Sequence, residues 1–580
     1  MTGEVNLDGK TVTITSALPY VNGVKHLGNI VGSLLPADIF HRFLDLMDVD
    51  NIFICGTDEH GTQTEIAAIQ EKLKPNEYAD KYHKIQKEIY EKWNFDFTFF
   101  GRTSSNTHTN VTQHAFNSIN KNGYILKSML VLPFCKNCQM FLADRYIEGT
   151  CPKCGKQARG DQCEHCSKLM DSNELIQPRC KLCNKSDIIF KKENHLFLDL
   201  SKLQEELKKW ILKNKQWPVG TRNFALGWIE EGLKQRCITR NLKWGVKVPL
   251  KGYSQLVFYV WFDAPLGYIS MTKDCPKLKK TWKKYWTNSL VFHFLGKDNI
   301  PFHTVFWPGM LMAGKDKNNF TLPYFVQGYE YLNWEGEKFS TSRNIGLFSD
   351  KALEMFPADY WRYYLASVLP EKKDANFEWP DFQNRINNEL IANYGNLFYR
   401  TTSFISKHFG KVPRPLKPGT AEKELHDRIE KSMQKIKNHV YEVRLKDVLK
   451  ECMVISDEVN KYLQIKEPWI MVKDKKTRKY AASTLYYAVN ALVVATFALK
   501  PFIPHTVDQV IKCLGIKNSE KIKWKDLQKP MIKTGTVVRP LILFQKVDDN
   551  EIFKIKEKMH KTNGHNGNGS NGNHANANIG

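Results

Sequence analysis

Eight of the 13 cysteines fall between residues 135 and 183, as four C-x2-C pairs: Cys135/Cys138, Cys151/Cys154, Cys163/Cys166 and Cys180/Cys183. Two residues between cysteines let both sulfurs point at one tetrahedral ion, so four pairs supply two four-thiolate sites. Disulfides compete for the same residues, and a reducing compartment disfavours them. Cys151/Cys154 is expected to share an ion with Cys163/Cys166, since only eight residues separate these pairs. Cys135/Cys138 and Cys180/Cys183 would close a second site around the first, although spacing alone also permits crossed pairings. A closed four-thiolate set leaves no position for water, so Zn2+ there would serve folding. Two other segments suit phosphate. KHLGN (25–29) follows a strand-like segment and opens a helix, where His26 and free backbone N–H groups can meet an anion. Gly28 permits close approach to the backbone. KFSTS (338–342) offers Lys338 and three hydroxyls. Either segment alone is a weak signal, because a turn or cap uses the same residue types.

These groups need elements to hold them. TVTITSALPY (11–20) alternates as a strand, and a helix-like run extends from about residue 29 to 47. NIFICGTDEHG (51–61) repeats the order of strand, turn and helix, the helix opening near Thr62. In that turn Asp58 serves either as a helix cap or as a free carboxylate. Strand–helix alternation predicts a parallel α/β sheet. LVFYVWFDAPLGY (256–268), SLVFHFLGKDN (289–299) and TLPYFVQGYEYL (321–332) read as strands or strand ends, so the sheet is interrupted by the cysteine-rich insertion and resumes after it. From about residue 385 the stretches 385–408, 421–461 and 477–500 carry helical periodicity, with KVPRPLKPG (411–419) joining the first two. This predicts an α-helical bundle. The Asn/Gly/His-rich tail 561–580 lacks the apolar residues for a core and is expected to be disordered.

Composition narrows the function. The 580 residues carry 85 Lys and Arg against 61 Asp and Glu, a net charge of +24, and residues 385–549 hold 31 of the former and 17 of the latter. Such an excess, concentrated in one segment, attracts phosphate backbones. With 42 % hydrophobic and 25 % charged residues, the chain is neither disordered throughout, collagen-like nor a small disulfide scaffold. No uninterrupted apolar run approaches the ~18–20 residues that span a bilayer. The N-terminus, MTGEVNLDGKTVTI, has neither an apolar signal core nor an Arg-rich, acid-poor leader, so cytoplasmic placement without a membrane is expected.

SALPYVNGVKHLGN, GTDEHG, WFDAPLGY, GKDN and KFSTS occur in this order in one chain. Together they resemble the methionyl-tRNA synthetases, class I aminoacyl-tRNA synthetases. The first block resembles the class's HIGH motif and the last its KMSKS motif, and the cysteine insertion sits where that family has its connective peptide. The resemblance implies a split Rossmann-type fold. Residues 1–125 and 226–330 would form the two catalytic halves, 126–225 the zinc-binding insertion and 331–384 the KMSKS-like loop and stem-contact region. Residues 385–550 would form the anticodon-binding domain, ahead of the 561–580 tail. It implies activation of methionine by ATP, with Mg2+, and transfer to tRNA(Met) carrying a CAU anticodon. By the same resemblance His26, Asn29, Lys338 and Thr341 are catalytic. Gly28, Gly296, Asp298 and Arg343 join them around ATP. Leu18, Tyr20, Asp58, Trp261, Ala264, Pro265, Tyr268, Asn299 and His303 surround methionine, with Asp58 on the α-ammonium. Asn396, Arg400 and Trp469 match the anticodon readers. Thr341 departs from the family pattern by standing where the motif has its second Lys, and Asn29 stands where the broader motif has a second His. A monomer is expected. Two rivals are a class I synthetase of other specificity and a tRNA-binding paralogue without turnover.

Overall fold

The computed structural model describes residues 5–142, 146–160, 163, 165–166, 170, 172–339 and 346–565. Its centre is a five-stranded sheet of β1 (Thr11–Ser16), β2 (Asp50–Thr57), β3 (Phe99–Arg102), β4 (Leu290–Gly296) and β5 (Pro323–Tyr329), in the order β5-β4-β1-β2-β3. Every pairing is parallel. The inner strands TVTITS and LVFHFLG are buried on both faces, which explains their near-continuous β-branched and aromatic runs. Strand order reverses between β1 and β4. In sheets of this kind, ligands bind beyond the carboxyl ends of the strands at such a reversal.

Between β3 and β4 the chain leaves the sheet along a hairpin of Ile125–Cys135 and Ile188–Leu198, paired antiparallel from Ile125↔Leu198 to Cys135↔Ile188. The cysteine-rich module sits at its far end with a small core of its own, in which Cys135, Cys151, Cys163 and Cys180 are buried beside Leu142, Ile147 and Leu175.

The sequence reading of 256–268 as a strand or strand end holds only near its start. Only Val257–Phe258 pairs; the chain then turns into helices Val260–Asp263 and Leu266–Asp274. A short apolar run does not distinguish a buried helix from a strand, and Leu266 to Thr272 are buried all round. The stretch 421–461 is likewise two helices, Thr420–Tyr441 and Leu445–Lys466, reversed at Val443 with φ +56°. The helix Asp549–His565 continues five residues into the tail expected to be disordered; residues 566–580 lie outside the described residues.

Helices Asn396–Phe409, Thr420–Tyr441, Leu445–Lys466 and Arg478–Leu499 form the bundle. Arg478–Leu499 is long and apolar enough by composition to cross a membrane, and it lies mostly buried as the bundle's core helix. The bundle is locked to the sheet by Arg362, which is fully buried. It donates to Asp38 of the helix behind β1 and to the carbonyls of Pro501 (2.7 Å), Phe502 (3.1 Å) and Trp93 (3.3 Å). Asp38 also accepts from Arg42 (2.9 Å) and the Asp96 N–H (2.7 Å). Removing one partner would strand a buried charge, at about 3–5 kcal/mol.

Candidate active site

Beyond the carboxyl ends of β1, β2 and β4 lies a cavity of about 520 Å3. The segment after β1 contributes Leu18 and Tyr20, the turn after β2 contributes Asp58, and the turn after β4 contributes Gly296, Asp298 and Asn299. Trp261, Ala264, Pro265 and Tyr268 enter from the two helices that replace the expected strand, and His303 from the π-helical turn Phe302–Phe306. All nine residues assigned to methionine thus share one wall system. The indole of Trp261 stacks on Phe302 at 3.6 Å, with Tyr20 edge-on at 6.5 Å. Phe302 was missed in the sequence, where its position beside His303 was the only signal.

His303 Nδ1 donates to the Asn299 carbonyl (3.0 Å), which leaves Nε2 to accept from the Tyr268 hydroxyl (2.9 Å). Burial lowers this imidazole to about 4, so it is neutral near pH 7. Both ring nitrogens are therefore engaged within the protein.

Asp58 does not cap a helix. Helix Thr62–Gln70 starts behind Gly61, whose φ of +97° makes the turn, and Asp58 is pinned by its backbone N–H to the Pro19 carbonyl (2.9 Å). Its carboxyl is 3 % exposed and Oδ1 has no partner. Burial, then the nearby Asp263 and Glu59 carboxylates, push its pKa well up. An arriving ammonium would reverse that shift, because opposite charge favours the carboxylate. Asp263 is itself held down despite burial, by His60 (2.7 Å) and His108 behind the wall.

His26 stands at the N-terminus of a helical stretch that runs from Leu27–Asn29 through the π-helical turn Ile30–Leu34 into Leu35–Leu46. Its Nδ1 has no partner, and burial, then Lys25, lower its pKa to about 4. The ring stacks on Phe339 at 4.6 Å. A Cβ on Gly28 would lie 2.9 Å from that ring, so any other residue at 28 would push the imidazole from its place. Phe339 follows Lys338, whose backbone pairs with Asn333 on the cavity wall. The fold therefore brings His26 of the first motif and Phe339 of the last to one cavity, 313 residues apart in the chain. The Lys338 side chain and residues 340–345, including Thr341 and Arg343, lie outside the described residues. Asn29 lines the cavity and is exposed, and Asp298 accepts from the Tyr331 hydroxyl at its rim. Lys25 also lines it and was not singled out by sequence.

The model of the class I tRNA synthetases (M) matches residues 12–402, and that of the anticodon binding domain of methionyl tRNA ligase matches 412–564. The chain belongs to the methionyl-tRNA synthetases. Among relatives of this synthetase, the methionine–tRNA ligase of Pyrococcus furiosus is 41 % identical over 558 residues, covering 93 % of this chain and 76 % of the relative. Methionine–tRNA ligase 1 of Acaryochloris marina is 40 % identical, covering 94 % and 98 %. The methionyl-tRNA synthetase of Mycobacterium tuberculosis, solved with methionyl-adenylate, shares the fold with a TM-score of 0.76 at 22 % identity, over 92 % of this chain and 100 % of that one.

In the synthetase's insertion, Cys135, Cys138, Cys180 and Cys183 form one group and Cys151, Cys154, Cys163 and Cys166 another. Sulfurs across the pairs stand 3.5–3.8 Å apart. A disulfide needs ~2.05 Å, whereas a tetrahedron with Zn–S of ~2.3 Å has an edge of about 3.8 Å. The eight thiols therefore fit two closed metal sites. A third group, His60, His108 and Asp263, is held by hydrogen bonds behind the cavity.

On the synthetase's bundle, Asn396 is exposed at the start of its helix and Arg400 lies one turn on. Trp469 follows Pro468, which opens helix Pro468–Met471 after Glu467 turns left-handed at φ +41°. The Arg400 guanidinium lies 5.7 Å from the Trp469 ring centre and donates to Asn460 Oδ1 (2.8 Å). Asn460 donates to Asn393 Oδ1 (2.9 Å), and Asn393 to Asp457 (2.7 Å). The three residues assigned to the anticodon thus share one face, with Arg400 fixed by a directed chain of amides.

Proposed function

We propose that this synthetase joins methionine and ATP in the cavity beyond β1 and β4, and then passes the methionyl group to tRNA(Met). The supporting observation is the convergence there of His26 at a helix N-terminus, Phe339 of the KFSTS segment, the unpartnered Oδ1 of Asp58 and the Trp261 wall. Asp58 takes the α-ammonium, while Trp261, Tyr20 and Phe302 pack the polarizable thioether. The methionine carboxylate oxygen attacks the α-phosphorus, and the bond to the bridging oxygen of pyrophosphate breaks. Neutral His26, Asn29 and the N–H groups of the helix start stabilise charge on the phosphates, with Lys338, Thr341 and Arg343 on the loop side. Gly28 and Gly296 leave room for the nucleotide, Asp298 meets the ribose, and Mg2+ enters with ATP. In the second step the terminal ribose oxygen of tRNA attacks the carbonyl carbon, its proton is lost, and AMP leaves. Asn396 and Arg400 hydrogen-bond the edges of the CAU bases and Trp469 stacks on one.

The cysteine groups would hold Zn2+, which contributes the folding energy of the knuckles. Elemental analysis is expected to give two zinc ions per chain, with Cys180→Ser reducing that to one. The synthetase acts as a cytoplasmic monomer. Methionine-dependent ATP–pyrophosphate exchange tests the activity, with leucine, valine and cysteine as controls. Exchange with another amino acid, or none at all, would select one of the two rivals.

A further inference from the structure

Lys25 precedes His26 and is 9 % exposed, yet it makes no ion pair with any described residue. Its Nζ donates to the neutral Asn22 amide oxygen at 2.7 Å. The side chain lines the cavity that Asp58 and His26 also line; Asp58 favours its charged form, and Lys25 in turn disfavours a charge on His26. Burial lowers its pKa to about 7, against the pull of Asp58. A buried cation that has only a neutral partner is costly unless an anion arrives to pair it. Asp58 is an incomplete partner, because it lies beyond ion-pair distance and its charge is claimed by the substrate ammonium.

We propose that Lys25 is a further substrate-binding residue, which holds the anionic oxygens at the junction of the methionine carboxylate and the α-phosphate. This rests on the reading above, in which Asp58 marks the ammonium end of the substrate pair and His26 the phosphate end. An ammonium that shares the cavity wall with both ends, next to His26 in the chain, can meet the oxygens that draw together as the anhydride bond forms. It therefore contributes more when both substrates are present than with methionine alone. The family's phosphate motifs assign this work to the residue after Lys25 and to the distant KFSTS loop; here the cation comes from the cavity wall itself.

The experiment compares wild type with Lys25→Met, which keeps length and apolar volume, and Lys25→Arg, which keeps charge. Lys25→Met is expected to reduce methionine-dependent exchange by about 10- to 100-fold, the worth of a charge-assisted hydrogen bond. Methionine affinity without ATP, measured by equilibrium dialysis, should change less than about threefold, with Tm unchanged or raised. Lys25→Arg should recover part of the rate. Exchange within about threefold of wild type in Lys25→Met would overturn the proposal. So would a loss confined to methionine affinity, which would make Lys25 only a counter-charge to Asp58. Wild type inactive in exchange would instead refute the underlying reading.

Discussion

The cavity and the bundle face differ in how far their polar groups are fixed beforehand. In the cavity the groups assigned to charged substrates are left incomplete: Asp58 Oδ1 and His26 Nδ1 are buried without partners, and Lys25 has only an amide. On the bundle face Arg400 also has a buried Nε without a partner, but its guanidinium is already anchored on Asn460, which Asn393 and Asp457 back in turn, before any base arrives. A small substrate that is fully enclosed supplies the missing partners itself and is selected by doing so. A polyanion docking on an open face gains more from donors that are fixed beforehand. Damage to the cavity should therefore strike both chemical steps, and damage to the face only the second. The largest effect is expected for Asp58→Asn. Loss of the charged contact to the ammonium should cut kcat/KM for methionine by about 100-fold, equally in exchange and in aminoacylation. Tm should hold or rise, since a buried carboxyl beside Asp263 is removed. Unequal losses in the two assays would break the contrast.

Trp469→Ala probes the other side. Stacking on one base is worth about 1–3 kcal/mol, so aminoacylation should fall by about 10-fold or more while exchange stays within about twofold. A matching fall in exchange would mean that the bundle reports on the cavity, and the Arg362–Asp38 lock that ties them would be the route to examine.

Much of this arrangement was legible in the sequence because local chemistry carried it. The C-x2-C pairs, the strand of TVTITS and the two motif blocks each need only their own neighbours. The two helices at 260–274 were not legible, since their apolar residues face protein on every side and leave no periodicity. Nor was the crowding at Gly28, where a Cβ would meet the ring of His26. Lys25 escaped for a related reason. In a chain with 85 basic residues, one more lysine carries no signal until its burial is known. Asn460 and Asn393 are ordinary polar positions in helical stretches, and only the fold shows that they aim Arg400.

The smallest effect tests how complete the cavity's charge is. KFSTS carries Thr341 where the family motif has its second lysine, so the loop side brings one cation fewer to the phosphates. If the wall supplied nothing, Thr341→Lys would restore the full value of a charge-assisted contact, about 10-fold or more. With Lys25 already at the junction, the gain should be held to about threefold in exchange and should grow in a Lys25→Met background, because each cation then stands in for the other. The ratio of aminoacylation to exchange should not move in either background, since the bundle face takes no part in the first step. A Thr341→Lys variant slower than wild type would show that the loop is not short of charge and that threonine is fitted to its place there.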